Sequence, residues 1–164
     1  MTLTVALACS AGLLALAAVA VAMRRSTAAT RFVYGASMAI AVISLVAAGA
    51  HLVGMAAPVS LTLPLGLPWL GAHFRLDVLS AFFLLVIDLG ALSASLFALG
   101  YGEHEEAPER VLPFYPAFLA GMTLVLLADD AFTFLVSWEF MSLTSCALVM
   151  SHQRAAENMQ AGFV

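Results

Sequence analysis

The sequence predicts an all-α integral membrane protein with about five transmembrane helices, and three observations carry that reading. Hydrophobic residues make up 63% of the 164 residues and charged residues 10%, with a mean hydropathy of +1.04, a balance too apolar for a soluble domain of this size. The apolar residues fall in runs of about 20, the length that crosses a hydrocarbon core of about 30 Å. Short charged or Pro/Gly-rich stretches separate those runs.

A single membrane domain is expected over 1–164, with helices at about 3–23, 32–55, 78–99, 111–128 and 131–150. In the first, Arg24, Arg25 and Arg31 follow the apolar run, whereas a secretory signal carries its positive charge ahead of it. A retained helix with its N-terminus outside is therefore expected. The second run is rich in Ala, Val and Ile, with Gly and Ser scattered as close-packing residues and His51 near its outer end, where an interfacial role is expected. Between the second and third runs, Val59 to Leu63 alternates apolar and polar residues, and Pro64, Gly66 and Pro68 mark a turn. Trp69, His73 and Arg75 suit the membrane interface, so a short extracytoplasmic hairpin or re-entrant loop is predicted there, with Trp69 as a belt residue.

The third run carries Asp88 near its middle. Gly90, Ala94 and Ala98 recur every four residues, a ridge that would let another helix approach closely, while Asp88 and Ser95 share a different face that is expected to be polar and inward. YGEHEEAPER, residues 101–110, reads as a solvated loop that includes His104. The fourth run begins with Pro113 and Pro116, which are tolerated in a first helical turn because its N–H groups lack partners anyway. Asp129 and Asp130 follow it, placed to cap the fifth helix. Residues 151–164 form a polar connector.

The arginines set the orientation. All six basic residues are Arg; an external N-terminus places Arg24, Arg25, Arg31, Arg110 and Arg154 on the cytoplasmic side and leaves only Arg75 outside. A net charge of -4 argues against a nucleic-acid partner, and the lipid bilayer is the partner that the composition demands. Cys9 and Cys146 lie within apolar runs and form no CxxC pair, so both are expected to be buried small hydrophobes rather than redox or cluster ligands. No nucleophile–base pair, metal-ligand cluster or phosphate loop is present, which argues against an enzyme acting alone and against a cofactor in this chain.

Two acids therefore carry the candidate chemistry, Glu139 and Asp88. About nine strongly apolar residues around Glu139 favour insertion by roughly 3 to 5 kcal/mol, and a central acid costs roughly 2.5 to 3.5 kcal/mol, so the fifth segment still spans with little margin. Each acid is either a proton carrier facing a bundle interior or aqueous cavity, or a neutral side chain that only hydrogen-bonds. For Glu139 the second state has Ser142, three residues on, as a reachable partner.

FRLDVLSAFFLLVI (74–87) and PFYPAFLAGMTLVLLADDAFTFLVSWEFMSLTSCALV (113–149) resemble the antiporter-like membrane subunits shared by respiratory complex I, multisubunit cation/proton antiporters and membrane-bound hydrogenases. Within that superfamily the pattern is closest to component B of hydrogenase-4, the formate hydrogenlyase type. The resemblance implies a bacterial inner-membrane, multi-pass subunit of about fourteen or more spans, so this chain is expected to be the N-terminal part of a longer subunit. It also implies a redox-linked proton-translocating complex of hydrogenase-4 or NADH-quinone oxidoreductase type. In it this chain would be non-catalytic, Glu139 would transfer protons, and the partners would be other membrane and hydrophilic subunits. A multisubunit Na+/H+ antiporter and a non-transporting structural fragment are the alternatives.

Overall fold

The structure, a computed structural model, describes residues 2–23, 29–65, 71–101 and 111–150. Arg24, Arg25, Arg110 and Arg154, the turn residues Gly66 and Pro68, Trp69, the charged loop over 102–110 and the connector over 151–164 lie outside the described residues. The elements in chain order are α1 (Thr2–Ala22), α2 (Ala29–Val53), β1 (Val59–Leu63), β2 (Ala72–Leu76), α3 (Val78–Tyr101), α4 (Phe114–Leu127) and α5 (Ala131–Met150).

Four of the five helices, α1, α2, α3 and α5, are long and apolar enough to cross a membrane. The fourth is shorter than its apolar run. Its 14 residues reach only about 21 Å, against a hydrocarbon core of about 30 Å. At one end, residues 111–113 form a turn that leads into the helix through Pro113. At the other, Ala128 leaves the helix with an extended ψ of 129° and pairs with Phe74 in an antiparallel bridge. Among the described residues the expected five spans thus become four membrane-length helices and one short apolar helix. The all-α expectation also needs one amendment, because β1 and β2 form a two-stranded antiparallel sheet with Val59 opposite Leu76 and Leu63 opposite Ala72.

Helix α2 packs most extensively on α3, α1 lies against both α2 and α4, and α5 packs on α4 and touches β2. The apolar interior is layered. Leu3, Leu76, Leu84 and Leu127 meet at the sheet end, Leu13, Ala41, Ala91 and Leu119 in the middle, and Leu16, Val33, Tyr34 and Leu112 at the far end. Small polar residues are turned inward, among them Ser10, Ser37, Ser44, Ser95, Thr123 and Thr133, while Val46, Leu79, Phe97 and Leu143 face outward. Lipid tails are as apolar as leucine, so helices in a bilayer associate through close packing and hydrogen bonds, and this inside-out distribution follows. Several of the hydroxyls bond back to the carbonyl one turn earlier, as Ser10 does to Ala6 at 3.0 Å and Thr123 to Leu119 at 3.1 Å.

The inward face of α3 is Ala81, Leu84, Asp88, Ala91 and Ser95, as the spacing of Asp88 and Ser95 predicts. The Gly90–Ala94 ridge instead faces outward, and no atom comes within 4 Å of a side chain built on Gly90. The polar side of α3 is the side with partners in the bundle: Ser95 Oγ lies 2.7 Å from Tyr115 Oη, which also donates to the Ala91 carbonyl at 3.1 Å. Close helix approach occurs at Gly121 of α4, where a Cβ would stand 3.0 Å from the Met141 Cα of α5. Helix α2 ends with Met55 in a left-handed conformation, φ 43°, as Met55 donates to the Leu52 carbonyl and Ala56 to the His51 carbonyl.

Gly121→Val should push α4 and α5 apart, lowering stability by about 1–3 kcal/mol, as read by the thermal unfolding midpoint in detergent. Met55→Gly should raise that midpoint slightly. The relief of about 1–2 kcal/mol of left-handed strain exceeds the roughly 0.5–1 kcal/mol of added chain entropy.

Candidate functional site

The strand β2 gathers the carboxylates at its end of the bundle. Asp77, the residue after β2, caps α3 by accepting the Ser80 N–H at 2.8 Å, and it pairs with Arg75 at 2.8 Å. Across the strand, Asp130 caps α5 by accepting the Thr133 N–H at 2.9 Å and also accepts the Thr133 hydroxyl. Its other ties run to β2: the His73 N–H donates to Asp130 at 3.2 Å, and His73 Nδ1 lies 3.3 Å from the same carboxylate without hydrogen-bonding geometry. Asp129 donates its N–H to the His73 carbonyl at 2.9 Å, and its carboxylate lies 3.5 Å from Arg75. The capping role expected of the Asp129–Asp130 pair thus falls to Asp130, while Asp129 bonds to the strand. The network centred on Asp77 was not anticipated, although an Asp three residues ahead of a Ser N–H at a helix start is a readable capping signal.

These bonds set the acidity of two carboxyls. The Ser80 N–H, followed by the Arg75 guanidinium, holds Asp77 at about 2, and the Thr133 hydroxyl, followed by the Thr133 N–H, holds Asp130 at about 2.

The two sequence-predicted site residues occupy opposite settings. Asp88 is buried at 5% exposure in the midst of α1 to α4. It lines a cavity of about 10 Å3 with Ser37 and Ser44 of α2, Cys9 of α1 and Thr123 of α4. Glu139 lies on the open face of α5 with Leu135, Val136 and Leu143, whereas α5 turns Thr133, Ser137 and Thr144 inward. The Glu139–Ser142 hydrogen bond expected from their spacing is not formed among the described residues. The structure does not bring the two acids into one site. A carboxylate among outward leucines and valines is unfavourable against lipid by roughly 2.5–3.5 kcal/mol, so a polar partner or water on that face of α5 would relieve it.

Two further expectations are refined. His51, in the last turn of α2, is 2% exposed and turned into the bundle, and neither ring nitrogen has a partner among the described residues. It shares with Ser44 and Ser37 the seven-residue repeat that faces the bundle, a file of inward polar groups on α2. Cys9 is buried as expected, but Cys146 is exposed, its thiol 3.5 Å from Met150 Sδ on the outer part of α5.

No protein-family model matches the chain. Uncharacterized proteins of two Mycobacterium tuberculosis strains are 34% identical over 116 residues, which is 70% of this chain and 18% of each relative. Hydrogenase-4 component B of Escherichia coli is 42% identical over 81 residues, or 48% of this chain and 12% of that protein. The chain therefore spans less than a fifth of the length of these relatives. Together with four helices of membrane length, the similarity marks a multi-pass membrane protein that fits a membrane subunit.

The capping carboxylates make the sheet end sensitive to acid. Because Asp77 and Asp130 are lowered from 3.8 to about 2 in the folded state, their contribution is present above 3.8 and lost as pH falls through about 2. The thermal midpoint should fall over that interval. Asp130→Asn, which keeps a cap acceptor, should flatten the fall; an unchanged slope would show that the clamp does not form in solution.

Proposed function

We propose that this chain is part of a membrane subunit of a redox-linked, proton-translocating complex of hydrogenase-4/formate hydrogenlyase or NADH-quinone oxidoreductase type, with Glu139 in the proton path. The observation that carries the reading is the 42% identity over 81 residues to hydrogenase-4 component B. The setting of Glu139 supports it, because an ionisable group in the middle of a membrane-length helix, on a face open to further helices, is placed to exchange a proton. A positive group brought beside Glu139 favours the ionised form, and desolvation on its withdrawal favours the neutral form. Alternating the two while access alternates moves protons. In this reading Asp88 is the inner of two proton-carrying acids, and redox chemistry belongs to partner subunits on the same bacterial inner membrane. The N-terminus lies outside, which puts the sheet and its capping aspartates on the extracytoplasmic side.

The alternatives are a subunit of a multisubunit Na+/H+ antiporter, which would show sodium-dependent proton movement, and a structural membrane segment that moves no ion. The decisive variant is Glu139→Gln in the assembled complex in native membranes. Gln keeps the volume and hydrogen bonding of Glu but carries no exchangeable charge, so redox-driven proton uptake should drop at least about tenfold, the size of effect expected when a positioned proton-transfer group is removed, with the level of assembled complex unchanged. Full proton uptake in this variant would refute the reading and leave the structural one.

A further inference from the structure

We infer that the cavity among α1 to α4 is a single-water site in which Asp88 is held as a neutral, proton-bearing acid, bridged by the bound water to Ser44 and Thr123. The site is distinct from the face of α5 that carries Glu139, and the inference does not depend on the role of Glu139.

The walls of this cavity come from four helices. Asp88 is 5% exposed and Ser44 3%, and both line it. The Ser44 hydroxyl is near enough to the Asp88 carboxyl to interact with it, yet their geometry makes no hydrogen bond, and Asp88 Oδ2 and Ser44 Oγ both lack hydrogen-bond partners among the described residues. Thr123, 4% exposed, gives its proton to the Leu119 carbonyl at 3.1 Å, and its oxygen lone pairs remain free to accept. The space of about 10 Å3 is that of one water centre. A buried water typically makes about three hydrogen bonds, which matches the capacity offered: it accepts from a protonated Asp88, exchanges a bond with Ser44 and donates to Thr123. Ser37 lines the same cavity but lies seven residues, about 10 Å of helix rise, from Ser44, too far to share that water.

Charge decides the protonation state. Among the described residues lining the cavity, Cys9 is the only titratable group besides Asp88, and no Arg or His lines it. Along α2 the inward titratable residues are Tyr34, three residues before Ser37, and His51, seven residues beyond Ser44, and neither lines the cavity. An ionised carboxylate here would have neither a countercharge nor a full set of donors, the most expensive state for a buried acid. A proton removes the charge and supplies the donor that the water accepts. An alkali cation would also remove it, but Asp88, Ser44 and Thr123 offer fewer oxygens than the six or so that such hard ions gather.

The test is infrared difference spectroscopy of the full chain in lipid bilayers at neutral pH, with and without sodium chloride. The expected result is a hydrogen-bonded, protonated-carboxyl C=O band that is lost in Asp88→Asn, moves to higher frequency in Ser44→Ala and in Thr123→Val, and is indifferent to sodium. Should Asp88→Asn fail to fold, carboxyl-13C aspartate labelling of the parent chain identifies the same band by its isotope shift. Three results would overturn the inference: an ionised Asp88 band, a free-carboxyl band unmoved by both hydroxyl deletions, or a band abolished by sodium, which would make the cavity a cation site. Loss of proton uptake in Glu139→Gln without this Asp88 band would reject the water site alone, and the converse would reject only the proposed transport role of Glu139.

Discussion

The rest of the structure depends on the bonds that β2 makes to the starts of two helices. The His73 carbonyl accepts the Asp129 N–H and the His73 N–H donates to the Asp130 carboxylate, Phe74 pairs with Ala128, and Arg75 lies between Asp77 and Asp129. One five-residue strand thereby fixes where α3 begins, where α4 stops and where α5 begins. Each helix start exposes N–H groups that need acceptors, and carboxylates also complement the positive end of the helix dipole. Asp77 and Asp130 supply both, and the strand ties them into one unit.

That clamp sets where α4 stops. A purely hydrocarbon-spanning role would favour helix beyond Ala128, but Ala128, whose N–H still donates to the Leu124 carbonyl, turns extended and bridges to Phe74, and the next N–H, that of Asp129, donates to the His73 carbonyl instead of continuing the helix. Backbone polar groups at membrane depth must be paired within the protein, and a strand edge serves as well as another helical turn. The stretches 74–87 and 113–149 meet at this point, so residues far apart in sequence form one structural joint.

Within the bundle, interior polarity and exterior apolarity follow from the solvent. Serines and threonines line the contacts between helices while valines, leucines and phenylalanines face outward. Asp88 fits that scheme as an inward group among hydroxyls, whereas Glu139 departs from it by sitting on an outward face. The contrast separates an acid whose surroundings lie within these helices from one whose surroundings lie beyond α5.

Composition and run length were enough to determine a helical membrane protein, because crossing hydrocarbon demands about 20 apolar residues whatever the tertiary contacts. Local signals marked the Asp129–Asp130 pair as a cap and placed Asp88 with Ser95 on one face, since caps and helical periodicity act over a few residues. Tertiary structure alone decided that the Gly90 ridge stays open, that Gly121 is the close crossing and that His51 turns into the bundle. Hydropathy also overextended α4, because it registers only that 111–128 is apolar and not that 111–113 form a turn or that Ala128 bridges to Phe74, distant in sequence. The two acids looked alike in the sequence, each a carboxylate in an apolar run. Their difference depends on which helix faces meet, a property of pairs of helices that no single run encodes.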